Sequence, residues 1–408
     1  MKKIILTAGI IFGFLACKQA DGIYEEYIVP NGLFYPGKVL DAEALSGKER
    51  VEITWKNSAD PKVVKARISW NNNTKSIEVD VNSETETFSQ IIEPLEENDY
   101  SFVIRTYDDK GNVSVPVEVM GTAYGEMYER SLTNRTFKNA IYDFDQEILQ
   151  IEWSAANAAE IGIELYYTDV DNKSRTVEID PSKTAWTVED FKVGEPVFYA
   201  TMYRPDSTAI DDFHAQKVKI PYIADITGQV LKNPGPSFIN GALVHNSRFY
   251  LAADWKTNTA AAVNGNVDAV LYNQLCFLAV SGYTPVPSIE NAKLYQTVEL
   301  EAGIYEFEVI YAGSTPGNYT SGIAYIAAAW GKDSPKDLPD IESIGQDVSS
   351  SFVLLPNTYS WNTTRKVPVS LFFEISEKSF VNIGFVASLS GSSNLQIYFD
   401  SVKLRRYF

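Results

Sequence analysis

Val51-Glu-Ile-Thr-Trp55 decides the fold. It alternates apolar and polar side chains with period two, the pattern of a strand that buries one face. Its apolar members return at a fixed distance: Ile53 and Trp55 recur as Ile151 and Trp153, 98 residues later. The same offset carries Val79 and Val81 onto Val177 and Ile179, Phe88 onto Trp186, Leu95 onto Val193, and Tyr100 onto Phe198. An offset shared by apolar and aromatic positions over such a span marks two copies of one domain of about a hundred residues. That length suits a β-sandwich of roughly seven strands. Trp55, Trp153, Phe88 and Trp186 are then expected between the sheets.

Ser76-Ile-Glu-Val-Asp-Val81 reads as a further strand and Asp108-Asp-Lys-Gly111 as a turn. Leu95 followed by Tyr100 resembles the corner of fibronectin type III domains, where the leucine plugs the core and the tyrosine hydroxyl bonds backbone. Phe198 replaces that tyrosine in the second copy, so its hydroxyl bond is expected to be missing. The sandwiches are placed at 35–123 and 124–223. The second copy ends at Ile220-Pro-Tyr-Ile223, and Gly228, Asn233, Pro234, Gly235 and Pro236 make 224–236 read as a linker. A third β domain is placed at 224–408. Leu294 to Tyr311 reads as two strands around Glu301-Ala-Gly303, and Val367–Ile375, Val381–Leu389 and Leu395–Leu404 as three more. The run Ile326-Ala-Ala-Ala-Trp330 fits a helix turn or a strand of small residues equally well. No long stretch has a helical period.

The chain opens Met1-Lys-Lys, then runs uncharged from Ile4 to Ala16 before Cys17. This is a secretory signal, 1–16, with an apolar core too short for a bilayer, which takes roughly 20 residues. Phe14-Leu-Ala-Cys17 resembles a bacterial lipobox, with Phe14 departing from the usual aliphatic residue. The resemblance implies lipid on Cys17, a lipidated linker over 17–34, and stable anchoring of the mature chain.

Lys and Arg total 35 against 53 Asp and Glu, a net charge of −18, with no basic run. A nucleic-acid binder shows the opposite footprint. Two His and two Cys argue against a zinc cluster or a disulfide framework. Cys276 sits in an apolar strand and reads as a buried free thiol. His214 reads as a loop residue and His245 as bonded to backbone. No nucleophile elbow, phosphate loop or dinucleotide fingerprint is present. Two carboxylates suffice for a glycosidase, so composition does not exclude one. Aromatic residues are abundant, with 24 Tyr, 21 Phe and 7 Trp. Sugar rings stack on exposed aromatics, and their hydroxyls need planar polar neighbours. Tyr250, Asp254, Trp255 and Asn258 offer both, as do Tyr359, Trp361 and Asn362; Trp330 is a third candidate. For each aromatic the competing reading is core packing.

The pairing of Tyr295-Gln-Thr-Val-Glu-Leu300 and Ala302-Gly-Ile-Tyr-Glu-Phe307 with a terminal Phe399-Asp-Ser-Val-Lys-Leu404 resembles galactose-binding-like jelly rolls, which include carbohydrate-binding modules. Tyr35-Pro-Gly-Lys-Val39, Gly47 to Trp55, Asp60 to Trp70 and Arg248 to Trp255 resemble a group of Bacteroides-type surface lipoproteins built from domains of unknown function. These are similar to glycan-binding lipoproteins that accompany starch-utilisation-type outer-membrane transporters. The resemblance implies an all-β chain: two tandem fibronectin type III-like β-sandwiches followed by a β-jelly-roll. It implies a non-catalytic lipoprotein of the outer-membrane surface that binds polysaccharide or oligosaccharide, with a transporter complex as partner. The alternatives are an adhesin or structural component binding protein, and, behind it, a glycoside hydrolase. No cofactor is expected; a structural calcium near Asp400 is what the jelly-roll resemblance allows, and no metal site is assigned.

Overall fold

Alternation becomes strand wherever it was read. The structure, a computed structural model of the chain, describes residues 34–271, 273–314, 322–355, 366–390 and 395–408. The first repeat holds β1 (Leu40–Lys48), β2 (Val51–Lys56), β3 (Val63–Trp70), β4 (Lys75–Asp80), β5 (Thr87–Ile92), β6 (Asn98–Asp108) and β7 (Val117–Tyr124). In β2, Val51, Ile53 and Trp55 are buried while Glu52 and Thr54 are not. The strand order is β4-β3-β6-β7-β1-β2-β5, with β1 parallel to β7 at Gly47↔Ala123 and antiparallel to β2. The strands close on a core of Trp55, Ile68, Phe102 and Ile104. Trp55 stacks on Phe88 at 5.5 Å.

The second repeat holds β8 (Phe137–Asp143), β9 (Ile148–Trp153), β10 (Glu160–Thr168), β11 (Ser174–Ile179), β12 (Ala185–Val188) and β13 (Val197–Tyr203). Each begins 97 to 99 residues after its counterpart in β1 to β6. The seventh strand is broken into β14 (Phe213–His214) and β15 (Val218–Ile220), both on β13, and β16 (Ile223–Asp225), which runs parallel to β8 as β7 does to β1. Trp153 is fully buried and tilts onto Tyr199 at 5.9 Å.

Tyr100 donates its hydroxyl to the carbonyl of Glu96 at 2.9 Å, and Leu95 is buried beside it, as the corner reading requires. The second corner is not left without a hydroxyl. Tyr222, arriving just before β16, donates to the Glu195 carbonyl at 3.2 Å and accepts from the Gly194 amide at 2.7 Å. Phe198 turns instead to the Lys217 ammonium. The phenol came from another strand, so a residue-by-residue offset could not find it.

The C-terminal part holds β17 (Asn240–His245), β18 (Phe249–Ala252), β19 (Lys256–Thr257), β20 (Val267–Asp268), β21 (Gln274–Ala279), β22 (Ser288–Leu300), β23 (Gly303–Ser314), β24 (Gly322–Gly331), β25 (Ser350–Leu354), β26 (Val367–Ile375), β27 (Ser379–Ser390) and β28 (Leu395–Tyr407). The small-residue run at Ile326 is therefore strand, in β24. One sheet is β19-β22-β27-β24-β25. The other is built on β28, flanked by β21 and β23, with β26 beyond β23. Leu294, Ile326 and Phe385 from the first share a core with Phe307, Leu371 and Phe399 from the second. Gly384 lets β27 and β22 approach: a Cβ there would lie 2.2 Å from the Leu294 carbonyl oxygen.

Two expected boundaries are corrected. Residues 224–236 are not a linker. β16 pairs with both β8 and β28, so the sheet runs from the second repeat into the C-terminal part without a break. The Ile226 amide donates to the Leu404 carbonyl, the Val402 amide donates to the Pro234 carbonyl, and Leu231 is buried. The turn residues are real: Asn233 and Gly235 have positive φ of 47° and 75°. At Gly235 a Cβ would meet the Asp400 carbonyl oxygen at 2.5 Å, so this turn is packed inside a domain. The second boundary, at 123/124, also shifts. One compact unit comprises the described residues up to Asn134 with Asn157–Ile161 and Thr201–Gln216; the other comprises Arg135–Ala156, Gly162–Ala200 and Lys217–Phe408. Within the first unit, Asp211 accepts from the Arg50 guanidinium at 2.7 and 3.0 Å and from the Lys48 amide at 2.7 Å. These bonds hold the Asp211 carboxyl below its usual range despite partial burial.

Candidate functional site

The stretch Arg248 to Trp255 carried the sharpest sequence expectation, and the structure assigns most of it to support. Arg248 grips Asp268 through Nε and Nη2, each at 2.6 Å. Asp268 has no exposed surface and also accepts from the Val270 and Leu271 amides and the Tyr398 hydroxyl. Arg248 Nη1 donates to the Tyr283 hydroxyl at 2.9 Å. The hydrogen bond to Asp268 keeps the guanidinium charged, with its pKa raised. Burial pushes the Tyr398 phenol and the Cys276 thiol up, so Cys276 is an inert core thiol. His245 donates Nε2–H to the Asn264 carbonyl at 2.9 Å, the backbone bond read for it.

Trp255, offered as a sugar platform, is corrected to core. It is 7% exposed, lies against Phe385 at 5.9 Å and Phe238 at 6.2 Å, and donates its indole N–H to the Asn233 carbonyl at 3.0 Å. Asn258 is likewise occupied. Its side chain accepts from the Ala261 and Lys293 amides at 3.0 Å each and donates to the Asn291 carbonyl at 2.7 Å, capping the short helix Thr259–Ala262. Tyr250 is half-buried against the core, and Asp254 is exposed in a turn with φ 65°. Trp330 is half-buried on the other sheet, stacked on Phe373 at 5.9 Å. These residues do not gather into one exposed cleft. Tyr359, Trp361 and Asn362, and the lipidation candidate Cys17, lie outside the described residues. Asp400 accepts from Lys366 Nζ at 2.8 Å, so its charge is met by a cation of the chain itself. Among the described residues no cluster of three or more His, Cys, Asp or Glu is arranged to hold a metal ion.

The structure instead offers a depression of about 620 Å³ where β22 and β24 begin and β27 ends. Ile289, Ile323, Ile341 and Leu389 line it with apolar surface, and Ser288, Glu290, Glu342, Ser388 and Ser390 supply oxygen atoms. A register shift between Ile289 and Ala292 marks a bulge in β22, and Asn291 sits on it with φ 48°. Bulges re-aim side chains, and this one turns Asn291 into a clamp. Its amide donates to Ser388 Oγ at 2.9 Å, its Oδ1 accepts from the Ile341 amide at 2.9 Å, and its Nδ2 donates to Glu342 Oε2 at 3.2 Å. Nearby, Lys293 is nearly buried between Asp337 at 2.9 Å and Asp340 at 2.8 Å. Burial works against its charge, but the bonds to Asp340 and Asp337 prevail and its pKa is raised. The rim is thus fixed before any ligand arrives. The sequence signal for it was Glu290-Asn291, two consecutive polar residues that break strict alternation between Ile289 and Ala292.

Comparison with known proteins gives families without an assigned role. A domain of unknown function, DUF4998, matches residues 17–213, and a second, DUF5013, matches 232–384. No curated protein matches the chain. Among solved structures, a two-fibronectin type III-domain segment of chicken tenascin is 13% identical, covering 45% of this chain and 98% of that one with a TM-score of 0.20. The FN1–FN3 domains of chicken CNTN1 are also 13% identical, covering 46% of this chain and 66% of that one with a TM-score of 0.28.

Proposed function

We propose that the chain is a non-catalytic, lipid-anchored protein of the outer-membrane surface, and that its C-terminal sandwich, read as a galactose-binding-like jelly roll, binds a polysaccharide or oligosaccharide for uptake by a neighbouring transporter. The observation that carries this reading is the depression clamped by Asn291. It is open enough to admit part of a longer polymer, and it sets carboxylates and hydroxyls around an apolar floor. Sugar hydroxyls need such acceptors and donors to replace their bonds to water, while C–H faces rest on apolar surface. Affinity per site is expected to be modest, because few solvent-exposed bonds leave little surplus after ordering costs.

The test is retention of the full-length soluble chain on a glycan array and in affinity gels. Glu342→Ala should weaken binding about tenfold, the worth of one hydrogen bond to a charged group, and Ile323→Asp should weaken it by removing apolar floor and placing a charge there. A well-folded wild-type chain that binds no glycan refutes the reading. Release of reducing sugar, lost in Glu290→Gln or Glu342→Gln, would replace it with the glycoside hydrolase. The rival reading, a component that binds protein, is favoured by a separate surface.

A further inference from the structure

On the outer face of the sheet that runs through β8, β16, β28 and β23, apolar side chains line up in register. Ile141 is opposite Ile223, Ile223 opposite Tyr407, and Tyr407 opposite Ile304. Phe372 on β26 lies diagonally beside the row, opposite Glu306, with its ring 6.0 Å from that of Tyr407, while Glu374 stands opposite Ile304 and ends the row. Ile141, Ile304 and Phe372 are 45, 47 and 54% exposed. The in-register row crosses four strands, so at strand spacing it is roughly 14 Å long, with Phe372 beside its end. It is not the product of a slipped register. The intervening residues Tyr142, Ala224 and Tyr305 already fill the core face. A solvated sheet face of this kind ordinarily carries polar side chains.

The next row along the same face is charged: Asp143, Asp225, Arg405 and Glu306. Arg405 is already engaged, by Glu306 at 3.1 Å and Glu308 at 3.1 Å. Asp143, Asp145 and Asp225 border a hollow of about 390 Å³ that has Ile141 on its lip. Arg405, opposite Asp225, is held by Glu306 and Glu308, so an apolar strip bordered by Asp143, Asp145 and Asp225 does not suit a second copy of the same face, which would set acid against acid. It suits a sugar chain less well, since three of its members, Ile141, Ile223 and Ile304, are branched aliphatic and offer no ring to stack on. It lies where β23 begins and β28 ends, on the other sheet from the Asn291 depression, which β22, β24 and β27 line.

We propose that this row docks a protein partner presenting an apolar ridge bordered by lysine or arginine, with a basic side chain entering the Asp143–Asp225 hollow. The row alone is smaller than the roughly 800 Å² per partner of a standard interface, so it forms the apolar centre and the carboxylates the rim. Rim charges of this kind mainly speed encounter and make it salt-sensitive.

The test uses the full-length soluble chain and fluorescent peptides that alternate Ile or Phe with Lys, with Glu-for-Lys versions as controls, read by anisotropy. The Lys peptides should bind, the Glu peptides should not, and high salt should weaken the complex. Ile304→Ser combined with Phe372→Ser should lower affinity about tenfold or more, and Asp225→Asn several-fold, with melting temperatures unchanged. Should the double variant melt early, Ile141→Ser supplies the apolar arm. Equal binding by wild type and the apolar variants would show attraction to the acidic surface at large and overturn the proposal. So would no binding of Lys peptides, equal binding of Glu peptides, or a wild-type dimer in sedimentation that the double variant abolishes.

Discussion

Replacing Trp255 by alanine should cost stability and nothing else. The indole is 7% exposed, packed between Phe385 and Phe238, and its N–H serves the Asn233 carbonyl. Truncating a buried tryptophan costs about 3–5 kcal/mol through lost transfer energy and the cavity left behind. The orphaned Asn233 carbonyl adds about 1 kcal/mol or more, since that turn is packed under β28. The loss is thus about 4–6 kcal/mol, against a typical total of about 5–15 kcal/mol. Trp255→Phe separates the two parts: it keeps much of the packing and loses the hydrogen bond, so its cost should fall near 1–3 kcal/mol, about that of one buried unpaired group. The assay is guanidinium unfolding followed by circular dichroism, with the slope unchanged and the midpoint lowered in the order wild type, phenylalanine, alanine. An alanine variant with a wild-type midpoint that has lost glycan retention would refute the reasoning, because the indole would then be a platform in solvent.

Asp268→Ala leaves the Arg248 guanidinium without its bidentate partner and should lower stability by about 3–5 kcal/mol in the same assay. A chain starting at Ala224 loses the β8–β16 pairing and the Tyr222–Phe408 stack at 4.6 Å, and should unfold at a lower denaturant midpoint than one starting at Arg135. Burial works to raise the Glu306 pKa, but bonds from Ser370, Tyr407 and Arg405 leave it lowered; the Lys173 amide and Arg175 lower that of Asp169. Folded values below the unfolded ones, about 4.3 and 3.9, make this stabilisation complete at neutral pH and lost as pH falls through the folded values. Melting temperature should therefore drop on acidification below about pH 4, and less steeply in Glu306→Gln.

What was legible in the sequence followed from periodicity. Strands joined by a short turn, such as β22 and β23 around Glu301-Ala-Gly303, announce themselves by alternation and that turn, although the two enter different sheets. The repeat added long-range information, because two copies of one pattern constrain each other. What stayed hidden depended on distant partners. Whether Trp255 faces solvent is decided by Phe385 on β27, and nothing within its own stretch records that. β16 is three residues long, too short for alternation to show, and lies next to a dense run of turn residues. Those residues were read correctly as a turn and wrongly as a boundary, since a turn and a linker share their glycines and prolines and differ only in what packs on them.

The same distinction bears on the stretch Arg248 to Trp255. Its polar residues look like ligand chemistry because arginine and aspartate are costly to bury unpaired. In the structure the Arg248 charge is spent on Asp268, so the buried pair fixes the hairpin of β17 and β18 against β20. A buried ion pair contributes little net stability over an apolar substitute, but once present it punishes any packing that separates its members. Arg248 and Asp268 therefore specify how this hairpin sits, and Trp255 anchors its far end. Arg248 so occupied has little donor capacity left for a ligand, and the proposed recognition is better served by surfaces whose polar groups are fixed but keep acceptor capacity. The Asn291-clamped rim and the acid-flanked apolar row both satisfy that condition, on different sheets.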